Sequence, residues 1–446
     1  MTTYEQAIPA AIGAGASTDE KRRTAITGAF LAEFIDMFDI YLPVVVLAPV
    51  LAYFQPAQVD PAWAAILNSF VYITTLLGRP IGALIFGRLA DRIGRRRSTI
   101  YSVAGFGVLT LLIGLLPGYQ SIGIASYLLL VTLRFLDGVC LGGGYTAAHP
   151  LAMEYSLKSK RGFVGGLILA AFPGAYVAIS AVAMVTLAVV PLAGMDSPYA
   201  VWGWRIPFVI GAALAGVLVL YYERKVSESE LWQARTAGAG KTPATRLFGG
   251  SNAVRLMQVL VMMTGFWTTQ NLITLFMPSV LLRQILHLTE FQITTTLIIT
   301  YCVLFFSYIG AGMLGQRIGR RVTFIILGCL IATVGVGLFW MLANQAAGLP
   351  LPMIILLVCV LAILVTAPWG VIITYINERF ATDVRGTAFG IGFSLSVVLP
   401  SFYAVYVNWL GKLVPLASAP AALMFIGAVI ATFGAAIGPE TRDVDM

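Results

Sequence analysis

Apolar stretches of about twenty residues, separated by short polar segments, recur from one end of the chain to the other. Helical residues rise ~1.5 Å each, so about twenty of them cross a hydrocarbon core of ~30 Å. Twelve such stretches are present, centred near Asp39, Ile73, Val108, Gly138, Tyr176, Ala213, Trp267, Val303, Thr333, Val365, Val397 and Gly427. The alternating polarity and short, regular spacing of an outer-membrane barrel are missing from them. The pattern predicts an all-α membrane protein with twelve transmembrane helices. One long polar interruption, from Arg224 to Asn252, divides the chain. The expected organisation is a tail over 1–23, a six-helix bundle over 24–223, a central loop over 224–252, a second bundle over 253–438 and a tail over 439–446.

Composition agrees with this solvent. Hydrophobic residues make up 59% of 446 positions and charged residues 11%, whereas charged residues alone reach ~25% of soluble domains. The net charge of +8 follows a topological rule. If the amino terminus lies inside, 23 of the 28 Lys and Arg residues fall on cytoplasmic segments, including Lys241 in the central loop. Basic residues are retained on that side, so both termini are expected in the cytoplasm and no nucleic-acid partner is needed to explain the charge. The first twenty residues are polar and lack the apolar core of a signal peptide.

Cys140, Cys302, Cys329 and Cys359 sit in expected spans without metal-ligand spacing, so neither a metal nor a cofactor is expected. The glycine-rich "AGAGKT", Ala237 to Thr242, has Arg235 where a phosphate-binding loop needs its first glycine, and this argues against an ATP-driven machine.

The two halves repeat. "GRLADRIGRR", Gly87 to Arg96, returns as "GMLGQRIGRR", Gly312 to Arg321, at an offset of 225, and Glu154 with Arg161 and Gly162 returns as Glu378 with Arg385 and Gly386 at 224. Repeated six-span halves point to alternating access, in which one half rocks against the other around a site near the midplane.

The first of these motifs resembles the loop signature of the major facilitator superfamily. Extended to "RPIGALIFGRLADRIGRR", and joined by "EYSLKSKRGF", "WGWRIPF" and the ending "PET", it resembles the metabolite:proton symporter branch. The resemblance implies the major facilitator fold, with two pseudo-symmetric bundles, in a bacterial-type inner membrane. It also implies proton symport of substrates such as α-ketoglutarate, citrate, shikimate, proline or betaine. Carried over by position, it makes Gly87, Asp91, Arg92, Gly94, Arg95, Glu154 and Arg161 a gate, with Arg317, Arg320, Glu378 and Arg385 as second-half counterparts. Gln316 stands where the second copy would have its acid.

The first span carries Glu33, Asp36 and Asp39 one turn apart. An ionised carboxylate at mid-bilayer depth costs at least ~2.5–3.5 kcal/mol, so such groups face a polar interior, find partners or hold protons. The fourth span brings Arg134 and Asp137 to matching depth, and Asp36, Asp39, Arg134 and Asp137 are the expected proton-coupling set. The other reading is a satisfied network that only fixes packing. Asp36-Met37-Phe38-Asp39 matches the branch's "Glu-aromatic-aromatic-Asp" in part, while Asp137 and Gly144 depart from its fourth-helix pattern. Glu33 is either a member of the network or a spacer. His149, before Pro150, is open to two readings, a proton relay or a packing residue at a kink, and Gly142 to Gly144 read as a close helix contact.

For the substrate, Arg79 is a buried arginine without a repeat counterpart; its fork suits a carboxylate, or it pairs with Asp36 or Asp39. Trp267, Gln270 and Asn271 lie where the seventh span matches the acids of the first, with Tyr301 and Tyr375 on neighbouring spans. The expectation is a monomeric, non-enzymatic symporter that takes up a small organic acid with protons. Alternatives are a zwitterion such as proline or betaine, or a proton-driven exporter of cationic compounds.

Overall fold

The structure is a computed structural model that describes residues 18–56, 61–238, 244–346 and 348–446. Residues 1–17 of the expected tail, Lys241 and most of Ala237 to Thr242 lie outside the described residues. Twelve long helical segments are found among the described ones: α1 Thr18–Tyr41, α2 Phe70–Ile93, α3 Arg95–Gly114, α4 Ala125–Tyr155, α5 Lys158–Val189 and α6 Tyr199–Lys225. The second half contains α7 Gly250–Ile285, α8 Glu290–Ile318, α9 Arg320–Gln345, α10 Leu351–Arg379, α11 Arg385–Leu410 and α12 Leu416–Ala436. Every expected centre falls inside its helix. Eleven are apolar enough to span by composition alone; α1 falls short because its acids sit among its apolar residues.

Within the first half, α2 and α4 interlock through glycines. A Cβ on Gly78 or Gly82 would strike the Phe135 or Val139 carbonyl of α4, and one on Gly138 or Gly142 would strike the Thr75 or Arg79 carbonyl of α2. Backbones this close leave no room for side chains between them. The contact sets Arg79 of α2 level with Gly142 of α4 and Thr75 level with Gly138, where the Thr75 hydroxyl donates to the Arg134 carbonyl at 3.1 Å. Gly142 thus makes the expected close contact, Gly143 meets the Phe86 ring, and Gly144 faces the Ser102 hydroxyl with room for a Cβ at 3.7 Å.

Helix geometry departs from the expected regular spans in α1 and α7. After Tyr41 the chain widens into a π-helical stretch, Leu42–Leu47, and after Asn271 α7 does the same over Leu272–Ile285. Pro43 and Pro278 lie within these stretches, where a proline removes a backbone donor and the regular ladder cannot continue.

The halves meet along α2 against α11 and α5 against α8. These two contacts exchange under the repeat. The turns after α2 and α8 are also equivalent: Gly94 and Gly319 have φ of 106° and 105°, a region open to glycine at little cost. Glu228 then accepts the Arg95 amide at 2.8 Å, and Glu440 accepts the Arg320 amide at 2.7 Å. Each acid satisfies orphan donors at a helix start and complements its dipole.

Candidate functional site

The buried acids of α1 each acquire a partner. Asp36 is ion-paired to Arg79, both 2% exposed at the side chain. Arg79 also lies over the Tyr145 ring, 5.0 Å from its centroid. One turn on, Asp39 Oδ2 takes Arg134 Nη1 at 3.2 Å, and Asp39 Oδ1 accepts from Thr110 at 2.6 Å. The same Arg134 nitrogen donates to Asp137 at 2.9 Å. The expected four-residue set is therefore brought together, but in two clusters, with Arg79 binding the acid at its head. Of the two partners open to Arg79 in the sequence, the structure selects Asp36.

A cavity of about 40 Å³ lies between the halves beside these groups. From α1, α2 and α5 it is lined by Glu33, Tyr41, Tyr72, Arg79 and Phe172; from the second half by Trp267, Gln270, Asn271, Tyr308, Trp369 and Phe393. At ~10–15 Å³ per water it holds about three water molecules, so a metabolite enters only when the walls part. Trp267 donates to the Phe393 carbonyl at 3.0 Å and meets the Trp369 ring edge-to-face at 4.4 Å; Asn271 donates to the Pro400 carbonyl at 3.0 Å.

Of the sequence candidates, Arg79, Trp267, Gln270 and Asn271 reach the cavity. Tyr301 does not line the cavity; it stacks on Tyr176 across the interface at 3.9 Å, and Tyr176 in turn meets cavity-lining Tyr41. Tyr375 is not brought to the cavity: its hydroxyl donates to Gln258 at 3.2 Å, near Arg379. It lies about one turn from the basic end of α10, a depth already given by its distance from the expected span centre at Val365. Sequence reasoning missed Thr110, Tyr145, Tyr308 and Trp369, each an ordinary packing type until tertiary contact gives it a neighbour.

The gate residues assemble at the face carrying most of the arginines. Arg95, fully buried, donates to Glu154 at 3.1 Å and to the Thr382 carbonyl of the opposite half at 3.0 Å. Arg385 reaches Glu154 across the interface at 2.8 Å. Asp91 accepts from the Thr387 hydroxyl at 2.6 Å, and Gly87 packs on Thr387. The second copy mirrors the first: Arg320 bonds Glu378 at 3.2 Å, and Arg161 of the first half lies 3.8 Å from it. Gln316, in the acid's place, accepts the Gly162 amide at 3.0 Å. Arg92 and Arg317 lie exposed on the rim, outside this buried network. The carboxyl-terminal residues join both halves as well, since Lys158 binds Asp445 at 2.7 Å and holds that carboxyl below its usual range.

Twelve helices in two repeat-related bundles, closed over a small, largely apolar cavity with a few polar side chains in its wall, define a membrane transporter. The chain belongs to the major facilitator superfamily: residues 29–404 match the family described as Major Facilitator Superfamily. It is similar to the proline/betaine transporter of Escherichia coli K12, 26% identical over 437 residues that cover 95% of this chain and 85% of that one. It is also similar to the alpha-ketoglutarate permease of the same strain, 27% identical over 400 residues and 88% of each chain. The fold matches the proton:xylose symporter XylE of E. coli bound to 6-bromo-6-deoxy-D-glucose, with a TM-score of 0.77, 18% identity, and coverage of 95% of this chain and 97% of that one.

Proposed function

We propose that this transporter is a proton symporter that imports a small carboxylate-bearing solute, with the basic face turned to the cytoplasm of a bacterial-type cell and the protein in its cytoplasmic membrane. The observation that carries the reading is Arg79, which lines the cavity while its guanidinium is bound to Asp36. One fork cannot serve two carboxylates fully. A proton placed on Asp36 removes the competing charge and releases Arg79 to a substrate carboxylate, so solute and proton bind together.

Charge balance supports a proton load. Four buried carboxylates, Glu33, Asp36, Asp39 and Asp137, stand against two guanidiniums, Arg79 and Arg134. Uncompensated charges at this depth are costly, and protons supply the difference. Asp39 and Asp137 share a single Arg134 nitrogen, a geometry in which two carboxylates do not both ionise readily.

The walls favour a zwitterion over the organic anion expected from the sequence. Trp267, Trp369, Tyr41 and Tyr308 surround the space, and aromatic faces attract ammonium groups, quaternary ones above all. A solute of the proline or betaine type would place its carboxylate at Arg79 and its nitrogen among these rings. The similarity to an alpha-ketoglutarate permease keeps a keto acid as the second reading. Each chain encloses a complete cavity, so one copy suffices for transport.

The test is uptake into proteoliposomes of labelled glycine betaine, proline, α-ketoglutarate and an organic cation, with and without an inward proton gradient. Gradient-stimulated accumulation of betaine or proline is expected. Accumulation of α-ketoglutarate alone moves the substrate to the second reading, and movement of only the cation, against the protons, replaces symport by antiport.

A further inference from the structure

One buried ionisable pair takes no part in the exchange at Arg79. Glu33 of α1 and His149 of α4 are 1% and 0% exposed, and their Oε2 and Nε2 atoms lie 3.1 Å apart. The two atoms approach without the alignment of a hydrogen bond, and neither His149 nitrogen nor Glu33 Oε2 has a hydrogen-bond partner among the described residues. Glu33 lines the substrate cavity. On its other side the imidazole is covered by Phe389 of α11, edge-on at 5.3 Å, and by the Tyr145 ring at 6.2 Å, whose hydroxyl bonds Ser394 of α11. One end of the pair therefore faces the cavity, and the other is closed by contacts between the halves near the basic face.

The other groups facing the pair are Asp36 and Arg79, together with the hydroxyls of Tyr145 and Tyr308. Arg79 is committed to Asp36, so it does not neutralise Glu33. A carboxyl beside an imidazole solves this locally. With one proton between them the pair is neutral overall whether the proton sits on oxygen or on nitrogen, and the low dielectric favours that state. Packing alone would be met equally well by an apolar side chain, which has no polar atoms to leave unpaired.

We propose that Glu33 and His149 form a proton-transfer site through which the coupled proton leaves the cavity for the basic face, an inference that rests on the symport reading. The Glu33 O–H bond breaks as an N–H bond forms at His149 Nε2, leaving carboxylate beside imidazolium. When α11 moves away and takes Phe389 with it, the imidazolium gives its proton to water. The pair then carries one negative charge until Glu33 receives the next proton from the cavity side.

The chain has two histidines, and the second, His287, lies exposed at the end of α7. His287→Gln protein labelled at the histidine ring therefore reports His149 alone by NMR. The ring-nitrogen signals of His149 are expected to change when Glu33→Gln is added. Signals indifferent to Glu33→Gln overturn the site. In proteoliposomes His149→Gln is expected to lower the ratio of gradient-driven betaine or proline accumulation to counterflow exchange about tenfold or more; an unchanged ratio removes His149 from the proton path. Should the unsubstituted protein accumulate none of the probes with a gradient, the symport reading fails, while the ring-nitrogen signals still decide whether Glu33 and His149 form a pair.

Discussion

At the scale of single residues, the proposed symport assigns binding to Arg79 and coupling to Asp36. Asp36→Asn removes the acid that a proton must neutralise, and it is expected to bind a carboxylate probe while losing stimulation by an inward proton gradient; unchanged stimulation in liposome uptake would sink the assignment. Arg79→Ala leaves a buried carboxylate without its cation, a loss of about 3–5 kcal/mol. Adding Asp36→Asn to that variant removes the stranded charge, so the double variant should melt above Arg79→Ala alone. The sequence showed that these charges needed partners, because depth and helical spacing follow from counting residues. It did not show which acid Arg79 takes, since that depends on how α1 is rotated against α2. The neighbour of His149 was not legible for the same reason: Pro150 is visible in the sequence, but the carboxylate 3.1 Å away belongs to another helix.

Among elements, the α2–α4 contact decides where the charges lie. Gly138 and Gly142 bring the backbones together at Thr75 and Arg79, and any added side chain must push the helices apart. Gly142→Val is expected to cost about 1–3 kcal/mol, read as a lower melting temperature in detergent, and to reduce transport further by moving Arg79 out of line with Asp36. Gly216, with open space beside it, is the control: Gly216→Ala should leave melting unchanged or raise it. Helix number and approximate centres were readable because about twenty apolar residues must cross the bilayer. The π-helical stretches after Tyr41 and Asn271 were not. Pro43 and Pro278 were visible signals, yet a proline inside an apolar run is compatible with a kink as well as a wide turn.

For the whole molecule, the paired contacts at the basic face hold the closed arrangement. Arg385 crosses from the second half to Glu154, and Arg161 crosses the other way toward Glu378. Removing one crossing partner strands a buried charge, so Arg385→Gln should shift the population toward opening at this face. Faster amide hydrogen exchange over 145–155 and 385–394 is the expected readout; protection equal to the unsubstituted protein would mean that the network is not a gate. The sequence by itself determined the membrane setting, the twelve spans, the two-fold repeat and the need to compensate the acids, because hydrophobic length, motif recurrence and charge burial are properties of the chain in order. Only the tertiary structure decided which charges meet and that Glu33 faces His149. These depend on the azimuth and close approach of helices distant in sequence, which packing between side chains sets and helical spacing alone does not encode.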